Sequence, residues 1–339
     1  MKKFLLLCIL AAGAWAGYRY WWLPRQELAS EQADEQEAAD QELADQLAAE
    51  PQLPAEAAAA REQADAIWQE MQAAEKDPTL QPEAPELARL YSQVLRATYN
   101  VPALKGLQLE LIEQRLRPLS ERLFFGRKVY RDDPTDFFVA HTIKPGERLD
   151  EIARHFGLSY QHINIMRGTD PESGAYQQGR TIKVYRGRDE RFGGFLIHID
   201  LGDFFMDVHL GGIFARRYPI GHGAVETPTP TGETRIVGRV RDPQWTDPVS
   251  GQVYMPGDPG NILGPVWLPF DDIMLNQSGL GIHGYTGDGA ATGARVSNGC
   301  IRMDNEDAVE FYNLMVPTAG DPATEGFISR VPMRVHLVE

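Results

Sequence analysis

At 339 residues, with 43% hydrophobic and 9% aromatic side chains, the chain is long enough for about two domains with real cores, which excludes a wholly disordered protein. A formal charge of −15, from 33 Lys and Arg against 48 Asp and Glu, excludes the extensive basic face that a nucleic-acid backbone requires. Two cysteines, Cys8 and Cys300, exclude a disulfide scaffold and a cysteine-rich zinc ribbon.

Lys2 and Lys3 precede an apolar run from Phe4 to Tyr18, and Ala14-Trp15-Ala16 has the small residues of a cleavage site, so the N-terminus has the pattern of an export signal. Tyr18, Tyr20, Trp21 and Trp22 equally suit the interfacial aromatic belt of an uncleaved anchor. Residues 1–23 therefore read as a signal peptide or a signal anchor, and the chain is expected in the periplasm or cell envelope, with membrane contact only through these residues if they are kept. Cys8 follows Leu5-Leu6-Leu7, not the small residues of a lipidation site, and cleavage or burial of this segment leaves Cys300 as the one thiol of the exported part. Residues 24–60 read as an acidic, Ala-rich spacer. The stretch 26–77 holds fifteen acidic residues against Arg61 and Lys76 alone.

Residues 61–133 carry helical spacing. Leu87, Leu90, Tyr91, Val94, Leu95 and Thr98 form one stripe, and Ile112, Leu116, Leu119 and Leu123 form another, until Asp132-Asp133-Pro134 breaks the pattern. Between 137 and 186 the pattern is strand, helix, helix, strand, with Gly157 stopping the first helix and Gly179 preceding the closing strand Thr181 to Tyr185. Pro145-Gly146-Glu147-Arg148-Leu149, Ile152-Ala153, Phe156-Gly157-Leu158-Ser159 and Gly179-Arg180-Thr181-Ile182 resemble the LysM domain, with Glu147-Arg148 replacing its usual Asp-Thr and Arg167 its usual Asn. What the resemblance implies is a small βααβ module that binds N-acetylglucosamine-containing glycans such as peptidoglycan. The alternative is a module that only braces the next domain.

From 192 to 339 the period changes to two. Ile197, Ile199 and Leu201, then Met206, Val208 and Leu210, alternate with polar residues between the turns Gly202-Asp203 and Gly211-Gly212, so this domain is expected to be mainly β. One convincing helix runs from Asn305 to Met315. His198 and His209 fall on polar strand positions and His336 on a terminal strand, which suits surface or packing roles. His222, between Gly221 and Gly223, is the better neighbour for a cleft.

The chemistry concentrates in Gly281-Ile282-His283-Gly284-Tyr285 and, thirteen loop residues after Gly284's partner His283, in Ser297-Asn298-Gly299-Cys300-Ile301-Arg302. A thiol near its ordinary pKa of about 8.5 is only a few per cent ionised at pH 7, so acyl chemistry at Cys300 needs a base. His283 can take the thiol proton, leaving an ion pair that lowers the thiol pKa, and can return the proton to a leaving amine. Gly299 lets backbone approach a substrate, the N–H groups around Cys300 are oxyanion donors, and Arg302 offers a planar fork for a carboxylate. No HxH or HExxH run supports a zinc peptidase.

These segments resemble the L,D-transpeptidase catalytic domain of the YkuD type, which carries a His-Gly pair, a loop, and Ser-x-Gly-Cys-(Ile/Val/Leu)-Arg. Tyr218-Pro219-Ile220-Gly221, Thr229-Pro230-Thr231-Gly232 and Asn261-Ile262-Leu263-Gly264-Pro265 look like its other recurring segments. The resemblance implies a YkuD-like β-sandwich with a short helix. It also implies Cys300 as nucleophile, His283 as base, Gly284 and Gly299 in orienting or oxyanion roles, and Arg302, Ser297, Asn298 and Tyr285 shaping the substrate site. Asn298 stands where many members have histidine, and Tyr285 where threonine is common. The implied activity is attack on the third residue of a peptidoglycan stem peptide, expulsion of the terminal D-Ala, and transfer of the thioester to an amine of another stem or of a wall-anchored protein. No metal or organic cofactor is implied. An L,D-carboxypeptidase or cross-link hydrolase would share the first half-reaction, and a catalytically idle glycan-binding wall protein is the alternative from another class.

Overall fold

The computed structural model describes residues 55–77, 85–99, 101–187, 189–248, 250–315 and 334–338. The signal or anchor at 1–23 and most of the spacer lie outside the described residues. Helix α1 (Ala55–Glu75) opens inside the stretch read as spacer, and α2 (Pro85–Ala97) follows, with Pro85 at its first position where a missing N–H costs nothing. A helical run over 102–125 then alternates α turns with wider π turns at Ile112–Leu116 and Glu121–Phe125. Leu87, Tyr91, Val94, Leu95 and Thr98 are buried on one side of α2, and the Tyr91 hydroxyl donates to Glu75 at the end of α1.

Strand β1 (Phe138–Thr142) pairs antiparallel with β2 (Thr181–Tyr185), and between them lie α3 (Leu149–Phe156) and α4 (Tyr160–Arg167). Gly157 and Gly168 end the two helices at φ of 73° and 65°, the left-handed turn that glycine adopts without strain. This small unit is packed on two sides. His162 is buried, and its Nε2–H donates to the Phe124 carbonyl at 2.9 Å, which leaves Nδ1 to accept from the Tyr185 hydroxyl at 3.0 Å. The Ser159 hydroxyl donates to the Asn313 carbonyl, and Arg239 donates to the carbonyls of Tyr312 and Met315 at 2.9 and 3.0 Å.

The remaining strands are β3 (Phe195–Asp200), β4 (Phe205–Leu210), β5 (Ile213–Pro219), β6 (His222–Gly223), β7 (Gly232–Arg235), β8 (Val240–Arg241), β9 (Trp245–Thr246), β10 (Val253–Tyr254), β11 (Val266–Pro269), β12 (Gly281–His283), β13 (Arg295–Ser297), β14 (Ile301–Arg302) and β15 (Arg334–Val338). The larger sheet has the order β5-β4-β3-β15-β7, with β15 parallel to β3 and antiparallel to β7. A second sheet has the order β14-β12-β11-β8, and the pair β13-β6 links it to the first part of the domain. Besides the short helix α5 (Asp272–Leu275), capped by the Asp271 carboxylate, the domain contains α6 (Asn305–Leu314), which buries Ala308, Phe311, Tyr312 and Leu314.

One sequence expectation needs correcting. The alternation along β3 and β4 suggests one face open to solvent, yet every residue of β4 is buried. The polar face is covered by α2 and its following turn. Ser92 accepts from the Phe214 amide at 2.8 Å, and Arg89 and Arg96 donate to the carbonyls of Gly211 and Gly212 at 2.5 Å each. Tyr99 stacks on His198 with ring centroids 3.7 Å apart and donates its hydroxyl to Asp207 at 2.6 Å. His209 also meets that hydroxyl at 2.9 Å, and Arg217 forks onto Asp207 at 2.6 and 2.7 Å. His198 and His209 are therefore buried packing residues, not surface ones. A buried carboxylate is tolerable here because three donors surround it.

Candidate active site

Strands β12 and β14 are neighbours in parallel register, Ile282 opposite Ile301 and His283 opposite Arg302. Residues opposite each other in a sheet share a face, so His283 and Arg302 emerge on the same side, and Cys300 is the residue just before β14. The Arg302 charge reaches both His283 and Cys300. Their strands are held from both sides: Arg302 and Gly221 exchange backbone hydrogen bonds at 2.8 and 2.9 Å, and the Met303 amide donates to the His283 carbonyl at 2.9 Å.

His283 is 3% exposed, and its Nδ1–H donates to the Gly284 carbonyl. That bond leaves Nε2 as the free basic nitrogen. Gly284 is a close-approach glycine, since a Cβ there would meet Asn305 Oδ1 and lie 2.9 Å from Pro265 Cδ. Asn305 in turn accepts from the Tyr285 amide at 2.8 Å, a support that no motif at 305 announces. Burial pulls the His283 pKa down to about 4, with the Arg302 charge adding to it against the opposing carbonyls of Gly284 and Leu263.

Cys300 is half-buried, and its Sγ–H points at the Gly279 carbonyl 3.7 Å away. Burial pushes its thiol up to about 11, opposed by the Gly281 amide and the Arg302 guanidinium. Burial thus pushes both the thiol and the imidazole toward their neutral forms, against the pull of the Arg302 cation on the sulfur.

The turn before the sulfur is built by Ser297, buried at 3% exposure. Its hydroxyl donates to the Cys300 carbonyl at 2.6 Å and accepts from the Gly299 amide at 3.1 Å. The Ser297 hydroxyl is thus committed inside the turn, from which it shapes the site by holding the backbone on either side of the sulfur. The Gly299 amide is likewise spent, which leaves the Cys300 amide, with no acceptor among the described residues, as the nearer oxyanion donor. Thr229 buttresses the turn from below, donating to the Gly299 carbonyl at 2.8 Å and accepting from the Gly223 amide at 2.9 Å. Gly299 sits at φ 102°, and a Cβ there would lie 2.9 Å from Leu280 Cδ2. Gly299→Ala is expected to cost about 1–3 kcal/mol in stability and to slow any acylation of Cys300; an unchanged melting temperature and rate together would contradict this geometry.

Arg302 is 9% exposed, lies 4.0 Å above the Tyr285 ring, and its Nε–H has no hydrogen-bond partner. Tyr285 is half-buried and donates its hydroxyl to the Asp288 carbonyl at 3.0 Å, and Asn298 is exposed beside the turn. His222 lies apart from these. It stacks on Phe204 with centroids 4.9 Å apart and lines a separate cavity of about 310 Å³ with Thr229 and Arg295, behind the turn. Among the described residues no group of three or more His, Cys, Asp or Glu is arranged to hold a metal ion.

Cys300, the imidazole of fixed tautomer at His283 and the Arg302 guanidinium are groups with which acyl transfer can be carried out. Residues 194–326 match the profile of the YkuD family, the L,D-transpeptidase catalytic domain. The chain is 28% identical over 177 residues to YkuD of Bacillus subtilis (strain 168), which bears an L,D-transpeptidase name; this spans 52% of the chain and 93% of that protein. It is 33% identical over 96 residues to a second B. subtilis protein so named, YqjB, covering 28% of the chain and 51% of YqjB. Among solved structures, an L,D-transpeptidase from Mycobacterium smegmatis aligns at 17% identity and a TM-score of 0.32, over 48% of this chain and 64% of that one. The catalytic domain of the E. faecium L,D-transpeptidase aligns at 23% identity and a TM-score of 0.29, over 42% and 96%.

Proposed function

We propose that the chain is an exported L,D-transpeptidase that works on peptidoglycan stem peptides through a thioester on Cys300. The observation that supports this is the β12/β14 register, which sets His283 opposite Arg302, two residues after Cys300, with the Arg302 Nε–H left unpaired. Such a buried, unsatisfied donor costs about 1–3 kcal/mol and is satisfied by a substrate carboxylate.

In the first half-reaction the Cys300 side chain turns from the Gly279 carbonyl toward His283. Its sulfur attacks the carbonyl carbon of the third stem residue while Nε2 takes the thiol proton. The Cys300 amide donates to the developing oxyanion. The bond to the terminal D-Ala then breaks, and its amine leaves with the proton from His283. In the second half-reaction an acceptor amine attacks the thioester, gives its proton to His283, and the sulfur leaves as the thiol. The unit over 137–186 is read as the glycan-binding part, holding stems near Cys300 and raising their local concentration. Residues 1–23 would place the enzyme in the periplasm or cell envelope.

Intact-protein mass spectrometry tests this. Incubation with a tetrapeptide muropeptide or a carbapenem is expected to add one acyl mass to the wild type and none to Cys300→Ala. A folded wild type that forms no adduct while still sedimenting with sacculi would leave only a glycan-binding protein. Release of tripeptide without cross-linked product in the presence of acceptor would make water the acceptor, and the enzyme a carboxypeptidase or cross-link hydrolase.

A further inference from the structure

A cavity of about 520 Å³ lies along the seam where the residues following the 102–125 helical run meet α4, β2 and the loop between them. Four cations line it, Arg127, Arg167, Arg180 and Lys183, and among the described residues no acidic one does, although acids outnumber bases in the chain 48 to 33. Among the described residues each cation meets only neutral partners. Arg127 donates to the Gly168 carbonyl at 2.9 Å, and Arg167 to Asn164 Oδ1 and the Ala175 carbonyl at 2.6 and 2.9 Å. Lys183, 2% exposed, donates to the carbonyls of Arg122 and Gly126 at 3.0 and 2.6 Å. Arg180 is exposed, with no carboxylate partner among the described residues. Arg167 and Arg180 are close enough that the second charge, after burial, helps to lower the pKa of the first.

Like charges gathered in a concave, partly dry site without counter-ions produce a strong local positive potential, and this focusing is largely independent of the net charge of the whole molecule. The volume suits a ligand of one or two sugar rings, with Tyr176 and Ile182 supplying apolar wall. The Pro145-to-Leu149 turn of the glycan-binding resemblance does not line it.

We propose that this cavity binds a carboxylate-bearing saccharide, with the guanidinium groups of Arg127, Arg167 and Arg180 receiving the carboxylate. The inference rests on the reading that the chain acts on the peptide-substituted glycan of the wall. It adds to that reading a charge-selective site away from Cys300 for muramyl sugars whose lactyl carboxylate is free, as on strand segments stripped of their stem peptides, because an attached stem consumes that carboxyl as an amide.

The test uses the full chain and two disaccharides without stem peptide, so that neither can form a thioester: N-acetylglucosaminyl-N-acetylmuramic acid, which carries a lactyl carboxylate, and chitobiose, which does not. Titration calorimetry at 50 mM salt is expected to show the acidic disaccharide binding at least about 10-fold tighter, with the preference shrinking at 500 mM salt. Arg127→Gln with Arg180→Gln, both exposed positions, is expected to remove the preference with an unchanged melting temperature. Equal binding of the two sugars, no binding of either, or a preference that survives the double substitution would overturn the proposal. So would binding of glucosamine 6-phosphate with no binding of the carboxylated sugar. If Cys300 forms its acyl adduct but no carboxylate preference exists, this inference alone fails. If the preference exists without an adduct, the site stands and the transpeptidase reading falls.

Discussion

Acylation of Cys300 is expected to be nearly independent of pH from about 5 to 10, to fall as pH drops toward 4, and to drop by about 10²–10⁴-fold at every pH in His283→Ala. The sign follows from the two shifts. The His283 pKa is lowered to about 4, so the imidazole stays a competent base until that pH, and below it the proton it must accept is already there. The Cys300 thiol is raised to about 11, so over the same range the sulfur carries its proton and must lose it during attack. Alkylation by iodoacetamide, which needs thiolate but no carbonyl activation, separates this from a resting ion pair. Its rate is expected to climb about tenfold per pH unit toward 11. A plateau already reached at pH 6 to 7 would mean that a thiolate–imidazolium pair exists at rest, and would overturn the neutral resting site.

The second large effect is on stability. Asp207→Ala is expected to cost about 3–5 kcal/mol, because Arg217 is then left nearly buried without its carboxylate and the Tyr99 hydroxyl loses its acceptor. For a domain of this size that corresponds to roughly 10 °C in melting temperature, measurable by circular dichroism. Adding Arg217→Leu is expected to recover part of the loss, since the penalty lies in the orphaned charge rather than in the missing attraction. A loss below about 1 kcal/mol in the single variant would show that water reaches the pair and that α2 does not seal this face of the sheet.

Much of this was readable from the chain, for physical reasons that differ by element. The stripe from Leu87 to Thr98 announced a helix because burying one side of a helix demands a period near 3.6. Alternation along 195–210 announced strands for the corresponding reason. The residues of the site were legible as types at close spacing, because acyl transfer by a thiol needs a base and an anion partner within a few ångströms. What surrounds them was not. The polar side of β4 is buried by Tyr99, 108 residues earlier than Asp207, and no local pattern encodes that meeting. The Ser297 hydroxyl could face outward or inward on the same sequence, and only the closed turn shows it bonded within the chain. Asn305 reads as a helix start and also holds the strand carrying the base, a double use that spacing cannot reveal. The thiol pKa depends on how much water reaches the sulfur, which is a property of the packed molecule.

Strand β15 runs between β3 and β7, parallel to the former and antiparallel to the latter. Ribosomes deliver residues 334–338 more than a hundred residues after the strand they sit beside. Until then two rows of amide and carbonyl groups face one another across a vacant slot, and any strand of fitting pattern from another molecule could occupy it. The sheet therefore stays open between β3 and β7 until residues 334–338 have been made.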